Sequence, residues 1–94
     1  IAHALINDYL PGTGMGYHRD DEPVEHIVGV SLGGWATMRW RPHAKIERGY
    51  GTTISLDLEP RSAYIMQKEI RWDWQHSVAT VPARRVSITF RTRP

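Results

Sequence analysis

Apolar and polar residues alternate along this chain in short runs, each broken by glycine or proline, and that two-residue period predicts strands. The first run, Ala2–Leu10, sets Asn7 and Tyr9 on one face and Ile6 and Leu10 on the other, and it stops at Pro11-Gly12. Gly16–Asp20 follows, then the acidic connection Asp21-Glu22-Pro23-Val24-Glu25. His26–Leu32 is mostly apolar and predicts a buried strand. Gly33-Gly34 predicts a turn, with Trp35–Arg41 as the hairpin partner. Beyond the polar loop Pro42–Gly51, Thr52–Leu58 places Ile54, Leu56 and Leu58 on one face and Ser55 and Asp57 on the other. Ala63–Gln67, Gln75–Val81 and Arg84–Thr92 complete the set, with Lys68–Asp73 read as a connection. No window shows a helical period, and there is no internal repeat. About eight short strands at regular spacing predict an all-β sandwich or barrel. A jelly roll is the expected arrangement, because it lays early and late strands side by side.

Composition narrows the class. Ninety-four residues, 40% hydrophobic and 23% charged, suit a single globular domain. The chain starts at Ile1 rather than Met, so an excerpt or a processed piece is expected. With no cysteine, disulfide frameworks and thiolate metal sites are excluded. No apolar run reaches the length of a membrane span or signal core, so an intracellular protein without a membrane partner is expected. Net charge is +2, yet ten of the twelve basic residues are arginine. Arginine suits two-pronged recognition of carboxylates and phosphates, although an ordinary arginine-rich surface explains the count equally well.

Two stretches carry candidate chemistry. In Gly16–Glu22, strand alternation points His18 and Asp20 to the same side. They supply two members of the 2-His-1-carboxylate set that holds Fe(II) with coordination positions left open. His76 is the candidate third. In the last strand, Val86, Ile88 and Phe90 form an apolar face, and Arg85, Ser87, Thr89 and Arg91 form the opposite one. Six residues of strand span ~20 Å. Two arginines leaning together across that distance leave a gap for a short dicarboxylate, and a surface strand with two solvated arginines is the alternative.

Taken together, Asn7-x-Tyr9, His18-x-Asp20, His76 and Arg85-x5-Arg91 resemble the AlkB family of Fe(II)- and 2-oxoglutarate-dependent dioxygenases, from about Leu5 to Arg91. His18–Glu22, Ser31-Leu32-Gly33 and Ser87–Arg91 are similar to members that repair alkylated nucleic acids. The resemblance implies a double-stranded β-helix, a jelly-roll variant, using Fe(II), 2-oxoglutarate and O2. It implies that His18, Asp20 and His76 ligate the metal, and that Arg85 and Tyr9 hold the distal carboxylate of 2-oxoglutarate. Arg91 and Asn7 would then lie near the metal end. Ser87 stands where relatives often have asparagine.

The implied reaction is oxidative demethylation of N-alkylated bases in single-stranded DNA or RNA, releasing succinate, CO2 and formaldehyde. Glu22 would face the cationic base, favoured by charge, or be a solvated loop residue. His18 would wall the base, with Trp40, Trp72 and Trp74 as neighbours or as core. Arg39, Arg41, Lys45 and Arg48 would meet phosphates or simply solvent. No stretch matches the family's N-terminal recognition segment, so a catalytic core or a different substrate grip is expected. The rival readings are the same chemistry on a protein or small molecule, and a non-enzymatic β-domain that binds nucleic acid or a partner. No protein partner can be inferred.

Overall fold

The computed structural model describes residues 3–20, 25–43 and 51–92. The elements run β1 (His3–Tyr9), β2 (Met15–His18), β3 (Ile27–Gly33), β4 (Ala36–Pro42), β5 (Ile54–Leu58), β6 (Ser62–Met66), α1 (Lys68–Trp72), β7 (Trp74–Val78) and β8 (Arg85–Arg91). Among the described residues 59% are strand and 6% helix, so the fold is all-β.

Two antiparallel sheets form, in the orders β1-β8-β3-β6 and β2-β7-β4-β5. Ile27 and Met66 from the first pack with Met38, Trp40 and Val78 from the second, so the sheets meet through their inner faces. The Trp40 indole N–H donates to Met66 Sδ at 3.4 Å across that core. This is the expected jelly roll: the first strand lies beside the last, and the second beside the next to last.

Two expectations about connections fail. Strand β4 is not the hairpin partner of β3, because β8 and β6 occupy both edges of β3. The Gly33-Gly34 turn instead carries the chain from one sheet to the other, where β4 pairs with β5 and β7. The Gly34 amide donates to the Arg84 carbonyl at 2.9 Å and anchors that corner to the start of β8. Residues 68–72, read as a plain connection, make one helical turn, closed by the Asp73 amide donating to the Glu69 carbonyl at 2.8 Å. A single turn is too short to show a period.

The inner face of the first sheet inverts the usual pattern. Along β8 the polar residues Arg85, Ser87, Thr89 and Arg91 are buried, while Val86, Ile88 and Phe90 are only partly covered on the outer face. The same outer face carries Ile6 and Ile65, both largely exposed. On β5 only Leu58 is buried. Ile54 and Leu56 share its face, opposite Trp40 and Met38, but lie at the sheet edge and stay exposed. Among the described residues no helix is long and apolar enough to cross a membrane.

Candidate active site

The cross-strand register builds the site. Strand β2 pairs with β7 so that His18 stands opposite His76, and an extra residue bulges from β2 between Met15 and His18. Regular alternation would turn residues three apart to opposite faces. The bulge lets both Met15 and His18 line one cavity of about 320 Å³. Asp20 lies just past the end of β2 and reaches the same space.

The imidazole Nε2 atoms of His18 and His76 lie 3.5 and 3.8 Å from Asp20 Oδ1. The two rings are 4.3 Å apart, tilted by 60°. All three ligand atoms fall within 4.8 Å of one another, so the trio could hold one metal ion. His18 Nδ1 sits 2.8 Å from the Gly16 carbonyl, which can only accept. The Nδ1 atom therefore carries the hydrogen, and Nε2 faces Asp20 and His76, donating to Asp20 when the ring is protonated and offering a lone pair when it is neutral. The other Asp20 oxygen, Oδ2, accepts from Arg91 Nη2 at 3.1 Å. One carboxylate thus divides its oxygens between the histidines and an arginine.

The charge states follow from these contacts. Burial alone would raise the Asp20 pKa, but the His18 hydrogen bond, the charges of His76 and Arg91, and the Arg91 hydrogen bond together hold it well below the carboxylate range. His76 is pushed down to about 4, chiefly by burial and then by the charge of His18, so its imidazole is neutral at physiological pH. His18 moves up, first because it hydrogen-bonds Asp20.

Strand β8 forms the other part of the cavity. Arg85 is 1% exposed, so the solvated alternative is excluded for it. Its Nε donates to Ser31 Oγ at 2.9 Å, and its Nη2 has no partner among the described residues. Tyr9, opposite Arg85 in the β1–β8 register, is buried, with its ring 5.1 Å from the guanidinium. Burial raises the Tyr9 pKa, against the charge and hydrogen bonding of Arg85 and the hydrogen bonding of Ser87. Arg91 is 7% exposed; it donates to Thr89 Oγ1 at 3.2 Å, and its Nε is likewise unpartnered. Asn7 and Ser87 face each other in register and line the same cavity.

All the candidate metal and cosubstrate residues therefore meet in one place. Glu22, Lys45 and Arg48 lie outside the described residues. Arg39 is exposed on β4, whereas Arg41 donates from Nε to Gln75 Oε1 at 2.7 Å and stacks 4.0 Å from the Tyr17 ring. Trp40 belongs to the core, Trp72 is exposed, and Trp74 packs against the core. Ser31, fully buried under Arg85, and Tyr64, on the cavity wall, escaped the sequence reasoning as individual site residues. Arg71, buried on α1, adds charge near His76. Arg19 Nη1 donates to the Trp72 carbonyl at 2.9 Å, joining the segment after β2 to the end of α1.

Residues 1–91 match the family model of the 2OG-Fe(II) oxygenase superfamily. An uncharacterized protein of Acanthamoeba polyphaga mimivirus is 30% identical over 100 residues, which cover 93% of this chain and 46% of that protein. The RNA replication protein of Grapevine virus A is 30% identical over 95 residues, covering 97% of this chain and 5% of that protein. The chain thus spans less than half the length of either relative.

Proposed function

The chain belongs to the 2OG-Fe(II) oxygenase superfamily, and on that premise we propose that it is an AlkB-type demethylase of N-alkylated bases in DNA or RNA. One observation carries the oxygenase part of the proposal: the His18, Asp20 and His76 donor set shares a cavity with two buried arginines, each keeping an N–H without a partner among the described residues.

The residues fit the group. Two imidazoles and one carboxylate suit Fe(II) and leave positions for a bidentate 2-oxo acid and O2. The orphaned guanidinium nitrogens are donors that a carboxylate would satisfy. When bound, iron, 2-oxoglutarate and O2 supply the oxidation. The 2-oxo acid becomes succinate and CO2, one oxygen atom enters an N-methyl C–H bond, and the resulting hydroxymethyl group leaves as formaldehyde.

The chain's own residues set up that chemistry. Arg85, oriented by Ser31, takes the distal carboxylate, and the Tyr9 hydroxyl assists. Arg91 holds Asp20 Oδ2 and so leaves Oδ1 turned toward the metal position. Its Nε would serve the end of the cosubstrate next to the metal, and Asn7 and Ser87, paired across β1 and β8, line the same cavity. A neutral His76 offers a lone pair without first losing a proton.

For the substrate, the support is the resemblance of His18–Glu22 to the repair-type members. A second support is that one similar stretch lies in a viral protein named for RNA replication. An N1-methyladenine or N3-methylcytosine is cationic, so a carboxylate at Glu22 favours it. Such a base must be single-stranded or flipped out.

The test supplies Fe(II), 2-oxoglutarate and air with a methylated single-stranded oligonucleotide, and in parallel with a methylated peptide. Formaldehyde release with loss of one methyl from the oligonucleotide is expected. Demethylation of the peptide alone moves the substrate to protein, and 2-oxoglutarate turnover with neither moves it to a small molecule.

A further inference from the structure

Tyr64 lies on β6 directly opposite Gly29 of β3, and Gly29 in turn lies opposite Thr89 of β8. A Cβ placed on Gly29 would stand 2.1 Å from Tyr64 Cζ and 2.4 Å from its hydroxyl oxygen. The tip of the phenol therefore occupies the space that any side chain at position 29 would fill. Reaching that far from the edge strand, the hydroxyl is carried across β3 toward the polar face of β8. The Thr89 row lies between the rows of Arg85 and Arg91, and the charges of both arginines act on this phenol. Tyr64 lines the same cavity. Burial, the largest influence on it, keeps the phenol protonated and hence a hydrogen-bond donor.

We propose that Tyr64 is a further cosubstrate-binding residue: its phenol, seated on Gly29, walls the cavity between Arg85 and Arg91 and donates a hydrogen bond to the bound 2-oxo acid. Gly29 is the positioning residue that makes room for it. The proposal builds on the cavity taking 2-oxoglutarate. The phenol would then join the donors already assigned in gripping a dianion, with the two guanidinium cations supplying charge and the phenol supplying direction. The ring also removes volume on the β6 side, so the cosubstrate lies against β8 rather than spread across the sheet.

The test is the dissociation constant of 2-oxoglutarate, measured by calorimetry on the anaerobic Fe(II) protein, for wild type, Tyr64→Phe, Gly29→Ala and the double variant. Tyr64→Phe keeps the ring and loses only the hydroxyl, so affinity should fall about tenfold with the melting temperature little changed. Gly29→Ala forces the phenol tip aside, a movable obstacle, and should weaken binding at least as much. Adding Tyr64→Phe to Gly29→Ala should then change little, because the hydroxyl is already displaced. Wild-type affinity in Tyr64→Phe, or fully additive losses in the double variant, overturns the role of Tyr64 while leaving the cavity assignment standing. Failure of the wild-type protein to bind 2-oxoglutarate overturns both.

Discussion

Replacing Arg85 with methionine should move stability and cosubstrate binding in opposite directions. The arginine is 1% exposed and forms no ion pair with a carboxylate among the described residues, and its Nη2 is unpartnered. A buried charge with no carboxylate partner costs several kcal/mol, ~3–4 here because Ser31 and Tyr9 satisfy only part of the guanidinium. Methionine keeps most of the stem volume and removes the charge. Against that gain stand the lost hydrogen bond to Ser31 Oγ, ~1–1.5 kcal/mol, and the lost hydrogen bonding and ring contact with Tyr9, ~0.5–1 kcal/mol. The ligand-free variant should be more stable by about 1–2 kcal/mol, a rise in Tm of about 4–10 °C for a domain of this size. Charged hydrogen bonds to the distal carboxylate, ~1.5–3 kcal/mol each, disappear at the same time, so 2-oxoglutarate should bind at least about tenfold more weakly. Scanning calorimetry without ligand and titration calorimetry with it read the two signs separately. A lower Tm with unchanged affinity would make Arg85 a structural residue and refute the reasoning.

Other substitutions probe different parts. His76→Ala should reduce 2-oxoglutarate turnover more than about 100-fold while circular dichroism remains β-type, since removing one ligand exceeds the usual effect of disturbing its supporting shell. His76 also makes stability depend on pH. Its pKa falls from 6.5 unfolded to about 4 folded, so the unfolded chain binds more protons between those values. Metal-free wild type should lose up to ~3 kcal/mol relative to His76→Gln as pH drops from 6.5 to 4, and parallel urea-derived stabilities across that window would contradict it. Gly14→Ala would bring a Cβ to 2.5 Å from the Val78 carbonyl oxygen and 3.0 Å from the Ala79 carbonyl carbon. Unlike the ring over Gly29, that backbone cannot swing away. Urea denaturation should report a loss of about 1–3 kcal/mol.

The strands were legible because their alternation is local, and the order of the strands in the jelly roll explains how residues 18 and 76 come to face each other. What stayed hidden depended on register. Ser31 reads as one polar residue in an apolar run until pairing puts it beside Ser87 and under Arg85. Tyr64 reads as an ordinary strand aromatic until Gly29 is seen to be its seat. The Gly33-Gly34 turn has the chemistry of a hairpin, and only the competition for the edges of β3 shows that it crosses between sheets. Strand β8 shows the converse case. Its two faces were plain, but the polar one turns inward, because a polar cavity replaces the apolar core there.

The central claim is that one cavity holds Fe(II) through His18, Asp20 and His76 and 2-oxoglutarate beside it. Adding both to the protein without oxygen and recording the visible spectrum tests it directly. The expected result is the metal-to-ligand charge-transfer band of a chelated 2-oxo acid, present in wild type and absent in His18→Ala. A folded wild-type protein that gives no band, or a band that survives His18→Ala, would contradict it.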